Sequence, residues 1–128
     1  MTELKELPTL EADGSIGVIK LAISVGETCR IEVGSKSFEG SDLFAALISL
    51  RSSLELNQRR ICCNGSRADV FPSGMAREMS RGRKAYSLKL GARPSSEDVV
   101  DIFQTADSTQ IGTVDDQKAF FDVWKQSF

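Results

Sequence analysis

Hydrophobic and polar residues alternate along the first part of the chain, and this pattern predicts β-strands. Every second residue is apolar between Ile16 and Val25 and again between Thr28 and Val33, as expected of strands with one buried face. Gly34-Ser35 is a two-residue turn of the type that closes a hairpin onto a strand at 36–39. Further strands are predicted at 60–63, 70–71, 85–90 and 98–103, the last two paired as a hairpin. A helix that begins at residues 96–98 is the alternative for the last of these.

The clearest helical pattern follows the first hairpin. Leucines recur at helical spacing from Leu43 to Leu54, which predicts a helix over 42–57. Ser41 is the predicted N-cap, and Asp42 then complements the positive end of the helix dipole.

Two more helices are predicted in the second half of the chain. A short one over 75–80 has Ser73 as its cap and Gly82 as a left-handed terminator. The last begins at Thr113, with Gln117 completing a loose capping box. Its wide apolar stripe is predicted to pack in the core and consists of Phe120, Phe121, Val123, Trp124 and Phe128.

These elements mix strands and helices without regular alternation. They predict an α+β fold: a largely antiparallel sheet of about five or six strands, with two longer helices and one short helix packed on it. Residues 1–14 are predicted to be a flexible acidic lead-in, because Pro8 and the turn at 12–14 interrupt any helix. Residues 15–128 are expected to form a single α+β domain.

Composition excludes several classes of function. The chain has 128 residues, of which 41% are hydrophobic and 27% charged, as in an ordinary globular domain. Its longest apolar run, Leu43 to Ile48, is far too short to span a membrane. The acidic start of the chain does not resemble a secretory signal, so a cytoplasmic location is expected. The sequence contains no histidine, which removes histidine metal sites and histidine-activated nucleophiles.

Cysteine usage agrees with a reducing compartment. There are three cysteines, an odd number, and no CxxC pair. Cys62 and Cys63 are either reactive thiols, activated by Arg59, Arg60 and Arg67, or small buried hydrophobic residues.

Charge is divided into three blocks. Residues 1–50 carry eight acidic and four basic residues, residues 51–93 carry three and ten, and residues 94–128 carry seven and two. Within the basic block, arginines and the start of the short helix are the candidates for an anion or partner-binding site. These candidates are Asn64, Ser66, Arg67, Ser73, Arg77, Arg81 and Arg83. The alternative is that the arginines pair with the acidic blocks inside the protein.

The acidic C-terminal block contains candidates for a surface that faces a basic partner. They are Asp98, Asp101 and Asp107. No nucleophile elbow, phosphate-binding loop or dinucleotide fingerprint occurs, so we expect neither an enzyme nor a cofactor or metal site.

The basic block also contains sequence segments that resemble a known family. Its segments are Cys63-Asn64-Gly65-Ser66-Arg67, Val70-Phe71-Pro72-Ser73-Gly74-Met75 and Gly82-Arg83-Lys84-Ala85-Tyr86. Over residues 43–103 the chain resembles bacterial immunity proteins of contact-dependent growth inhibition and other polymorphic toxin systems.

The resemblance implies a cytoplasmic protein that binds one cognate toxin domain, often a nuclease, and occludes its active site. An acidic surface would cover a basic active site, or the arginine-rich segment would clamp the toxin's carboxylates. The alternative function is binding of nucleic acid, nucleotide or phosphate through residues 51–93. A second rival is an enzyme with a cysteine nucleophile.

Overall fold

A computed structural model describes residues 2–128 and has two antiparallel sheets and three helices, an α+β fold as predicted. The strands are β1 (Thr2–Leu10), β2 (Ile16–Ser24), β3 (Cys29–Val33), β4 (Lys36–Gly40), β5 (Arg60–Ile61), β6 (Val70–Phe71), β7 (Lys84–Ser87) and β8 (Val99–Asp101). The helices are α1 (Leu43–Glu55), α2 (Gly74–Ser80) and α3 (Val114–Lys125). Single 3₁₀ turns lie at Asn64–Ser66, Ser96–Asp98 and Ser108–Gln110.

The larger sheet has the strand order β4-β3-β2-β1-β5, and the smaller has the order β6-β7-β8. One face of the larger sheet carries Ile19, Leu21, Ile23 and Ile31, all of which are buried. The apolar side of α1 belongs to the same core, so this helix fills the inner face of the larger sheet. The predicted hairpin of β3 and β4 is confirmed.

The flexible lead-in is the main error of the sequence prediction. Residues 2–10 form strand β1, which lies between β2 and β5 and pairs with all nine residues of β2. Met1, which was also assigned to the lead-in, lies outside the described residues. Pro8 is tolerated because its carbonyl accepts a hydrogen bond from Cys62 N (2.8 Å), and no N–H is needed there.

The first helix begins one residue later than predicted. Asp42, not Ser41, is the N-cap: its Oδ1 accepts a hydrogen bond from Ala45 N at 2.8 Å. A carboxylate in this place satisfies a free amide and also complements the helix dipole. Gly82 packs so closely on Asp42 that a Cβ there would lie 2.8 Å from the carboxylate carbon.

The second half of the chain follows the predicted order with shifted boundaries. β7 and β8 pair antiparallel, as predicted for 85–90 and 98–103, but both strands are shorter. The alternative helix at 96–98 is realised only as one 3₁₀ turn, capped by Ser95. Ser73 does cap α2, and the left-handed backbone begins at Arg81 and continues through Gly82.

Helix α3 has the predicted cap, but a different residue completes its capping box. Thr113 Oγ1 accepts from Asp116 N, and Asp116 Oδ2 accepts from Thr113 N, each at 3.0 Å. Gln117, which was predicted for this role, is buried under the helix instead.

Candidate interaction surface

Two polar residues of the predicted anion site are buried. Asn64 is 8% exposed and Ser66 is 1% exposed, and both lie in the 3₁₀ turn at 64–66. The Arg67 guanidinium binds both carboxylate oxygens of Asp69, at 3.0 and 2.9 Å, and reaches Ser87 Oγ at 3.3 Å. This arginine therefore joins the turn to the smaller sheet.

The arginines around α2 also have partners within the chain. Arg77 Nη1 donates to Asp42 Oδ2 at 2.8 Å, and its guanidinium lies over the Phe44 ring. Arg81 Nη2 donates to the carbonyl of Gly26 at 2.8 Å. Ser73 accepts from Ala76 N at 3.0 Å as the cap of α2. None of these contacts requires an external anion.

Arg83 connects the two sheets. Its guanidinium donates to both carboxylate oxygens of Glu3 on β1 and, through Nε, to Asp101 Oδ2 on β8 at 3.1 Å. These hydrogen bonds raise the pKa of Arg83 and lower the pKa of the Glu3 carboxyl. Arg77 and Arg83 thus pair with carboxylates of the acidic blocks. Arg67 instead pairs within the basic block, and Arg81 donates to backbone carbonyls.

The three acidic candidates each bind local groups. Asp98 Oδ2 accepts from Ser95 N at 2.8 Å, and Asp101 Oδ1 accepts from Phe103 N at 2.9 Å. Asp107 accepts from Thr109 N at 2.9 Å, and this hydrogen bond lowers the pKa of its carboxyl. Asp107 is exposed, whereas Asp98 and Asp101 are half-buried.

The cysteines are buried, as the second of the two interpretations expected. Cys62 is 2% exposed and Cys63 is 0% exposed. Burial raises the pKa of both thiols, which disfavours the nucleophilic thiolate at neutral pH.

A line of aromatic rings runs from the core to the surface along α3. Phe71 on β6 stacks on Phe121, with ring centroids 4.0 Å apart. Trp124 follows at 5.8 Å from Phe121, and Phe128 lies 5.0 Å from Trp124. We call these four residues the aromatic face.

The apolar stripe of the last helix, which was predicted to pack in the core, does not belong to it, because none of its five residues is fully buried. Phe120, Phe121 and Trp124 are half-buried, whereas Phe128 is 55% exposed and Val123 is 59% exposed. Within α3 only Gln117 is fully buried. The helical spacing of residues 117, 121, 124 and 128 places them on one face, but it does not show where along the helix this face becomes exposed to solvent.

An apolar groove borders the aromatic face. It has a volume of about 370 Å³ and is lined by Ile48, Phe71, Val114, Gln117, Lys118, Phe121, Asp122 and Lys125. Lys125 lies over the Phe121 ring at 4.9 Å and 3.3 Å from Asp122. Arg93 lies over the Phe128 ring at 5.2 Å. The rim of this apolar surface is therefore partly cationic.

The side chains of the described chain do not gather into a recognisable metal centre. Among residues 2–128 there is no group of three or more cysteine, aspartate or glutamate side chains arranged to hold a metal ion. Within the same range no helix has the length and apolar character needed to cross a bilayer.

The chain matches no protein-family model, and no curated protein matches it.

Proposed function

We propose that this protein acts by binding another protein, and that its partner is a toxin domain whose active site it covers. The observation that carries the proposal is the aromatic face, which ends in the exposed ring of Phe128 and borders a groove of about 370 Å³. Aromatic and arginine side chains dominate the energetics of protein interfaces, so this surface has the composition of a binding hot spot.

The aromatic face is fixed in place before any partner binds. Trp124 Nε1 donates to the Ala92 carbonyl at 3.0 Å, which sets the orientation of the indole ring. Phe121 is held between Phe71 and Trp124 by stacking. Little side-chain entropy is then lost on binding, and this favours affinity.

The charges around the groove indicate the chemistry of the partner. Lys118, Lys125 and Arg93 surround the apolar surface, with Asp122 as the one carboxylate among the groove residues. A complementary partner would insert an apolar side chain between acidic residues. Catalytic carboxylates of a nuclease have this charge, so we favour a clamp on the toxin's carboxylates over an acidic cover. Lys118, Lys125 and Arg93 would form this clamp, in place of the internally bound arginines of the candidate anion site.

The toxin as partner is proposed from the resemblance of residues 43–103 to immunity proteins. A compact domain without histidine, with three buried free thiols, suits such a protein acting in the cytoplasm. The aromatic face extends this proposal to residues beyond the resembling segment, on α3.

A binding and growth assay tests the proposal. The probe is the C-terminal domain of the protein encoded immediately upstream, which the proposal expects to be a secreted toxin. We expect the wild-type protein to bind this domain and to restore growth of cells that express it. Replacing Trp124→Ala together with Phe128→Ala should weaken binding about thirtyfold or more, as for other aromatic hot spots. Because Trp124 stacks on Phe121 and donates to the Ala92 carbonyl, the double variant should also melt at a lower temperature. Binding is therefore measured at a temperature at which circular dichroism shows both proteins fully folded.

The matched control is Leu56→Ala, which removes an apolar side chain that is 80% exposed after the end of α1. This variant should bind like the wild type. Failure of the upstream domain to bind, or full binding by the double variant, would show that the proposal is wrong. Micromolar binding of mixed RNA and DNA, abolished by Arg67→Ala with Arg77→Ala, would instead establish the nucleic-acid alternative.

A further inference from the structure

Strand β1 has an open backbone edge. It pairs with β2 along its whole length, but with β5 only at Thr9 and Leu10. Over residues 2–7, no strand of the described chain lies on the β5 side. The side chains there are also accessible: Leu4 is 79% exposed, and Thr2, Glu3 and Glu6 are exposed as well.

The register identifies which backbone groups face this edge. The Pro8 carbonyl accepts from Cys62 N on the β5 side, and backbone groups of successive residues in a strand point to opposite sides. Thr2, Leu4 and Glu6 therefore direct their N–H and C=O groups to the open edge. Unpaired groups of this type form a template for another strand.

We infer that a second copy of this chain pairs with this edge, β1 against β1 and antiparallel, with Leu4 on the twofold axis. In this register Leu4 lies opposite Leu4 of the second copy. Glu3 lies opposite Lys5 of the second copy, and Lys5 lies opposite its Glu3. Thr2 lies opposite Glu6. The two five-stranded sheets join into one continuous sheet, and the exposed Leu4 side chains cover each other.

Charge selects this partner and this register. Opposite charges directly across an antiparallel pair stabilise it, and like charges destabilise it. An axis at Lys5 would place two lysines together, and an axis at Glu3 or Glu6 would place two glutamates together. The segment Thr2–Glu6 is complementary to itself only when Leu4 is central.

The internal contacts of β1 are compatible with this pairing. Glu3 already accepts hydrogen bonds from Arg83, at 3.0 Å for the Nη2 contact, and a carboxylate has further lone pairs for a lysine. Lys5 is half-buried on the same face of the sheet as Glu3. Five residues per strand make a small interface, so the dimer should be weak and concentration-dependent.

Charge reversal gives the decisive experiment, with sedimentation as the measurement. The wild-type protein should pass from monomer to dimer as its concentration rises. Lys5→Glu places two like pairs in the interface and should weaken self-association at least tenfold, and Glu3→Lys should do the same. An equimolar mixture of these two variants should associate again, because every charged pair is then opposite. Lys36→Glu, on edge strand β4, is the control for the same charge change and should dimerise like the wild type.

Amide hydrogen exchange provides a second measurement that does not depend on variants. Exchange at the Leu4 and Glu6 amides should slow as protein concentration rises, whereas the Lys5 amide, already paired with β2, should not change. A wild-type protein that stays monomeric at all soluble concentrations would overturn the inference, as would a dimer that Lys5→Glu leaves intact. Binding of an unrelated extended peptide without self-association would assign this edge to a different partner and overturn it too.

Discussion

At the scale of single residues, the buried amide of Gln117 is the centre of a polar network. Its Nε2 lies 2.9 Å from the Gly65 carbonyl, 2.9 Å from that of Arg67 and 2.8 Å from that of Val70. Its Oε1 accepts from Arg51 Nη1 at 2.7 Å. Arg51 is 2% exposed, and burial lowers the pKa of its guanidinium. The network ties α1, the turn at 64–66 and α3 together.

Replacing Gln117→Leu should destabilise the protein by about 3 kcal/mol, because four buried polar groups each lose a hydrogen bond. They are the carbonyls of Gly65, Arg67 and Val70 and the guanidinium of Arg51. Urea denaturation followed by circular dichroism measures the difference. The neighbouring exposed Lys118 provides the control: Lys118→Leu should change stability by no more than about 0.5 kcal/mol. Equal effects of the two substitutions would contradict the role assigned to the network.

The sequence could not reveal this role of Gln117. Locally, a glutamine four residues after Thr113 suits a loose capping box, and this was the prediction. Its partners Gly65 and Val70 are 52 and 47 residues away in sequence, so only the folded chain brings them near. The buried cysteines, by contrast, were predictable as an alternative because cysteine is often buried.

At the scale of elements, β1 shows how pairing overrides a local pattern. Leu7 and Thr9 are buried on one face while Leu4 is exposed on the other, so the segment does alternate. Its charged residues and Pro8 weaken that signal, and a strand forms because β2 offers nine residues of complementary backbone. The strands at 16–25 and 28–33 were predictable because their alternation is apolar and uninterrupted. The open edge of β1 was not, since it depends on how short β5 is.

Two alanine substitutions in β1 distinguish an integral strand from a flexible segment. Leu7→Ala should cost about 3 kcal/mol of unfolding free energy, because Leu7 is 1% exposed and its removal leaves a cavity in the core. Leu4→Ala, in the same strand, should cost no more than about 0.5 kcal/mol in dilute solution. Thermal and urea unfolding of both variants would decide. A negligible loss in Leu7→Ala would mean that the first strand does not contribute to the folded core.

At the scale of the whole molecule, part of the basic block is paired with the two acidic blocks. Ion pairs join the basic block to both acidic blocks: Arg59 with Glu11, Arg77 with Asp42, and Arg83 with Glu3 and Asp101. The sequence showed the blocks, but it could not show which of two uses they have, because pairing depends on contacts such as the 80-residue separation of Glu3 and Arg83. The exposed end of the aromatic face is a similar case. The sequence showed its aromatic residues, but it could not show that they lie at the surface of the folded protein.

A substitution in the ion pair of Arg77 and Asp42 distinguishes a structural role of the basic block from a role in binding nucleic acid. Asp42 is 6% exposed, and its two oxygens are divided between capping α1 and receiving Arg77. Arg77→Ala leaves that carboxylate buried without its counter-charge, so we expect a loss of about 2 kcal/mol, below the full cost of a buried pair because Arg77 is partly exposed. Lys89→Ala, at an exposed basic position in the same block, should change stability by no more than about 0.5 kcal/mol.

Urea unfolding gives both values, and a filter-binding assay with mixed RNA and DNA on the same samples should show no difference between the variants and the wild type. A block built for nucleic acid would give the reverse result, with binding lost in Arg77→Ala and stability retained.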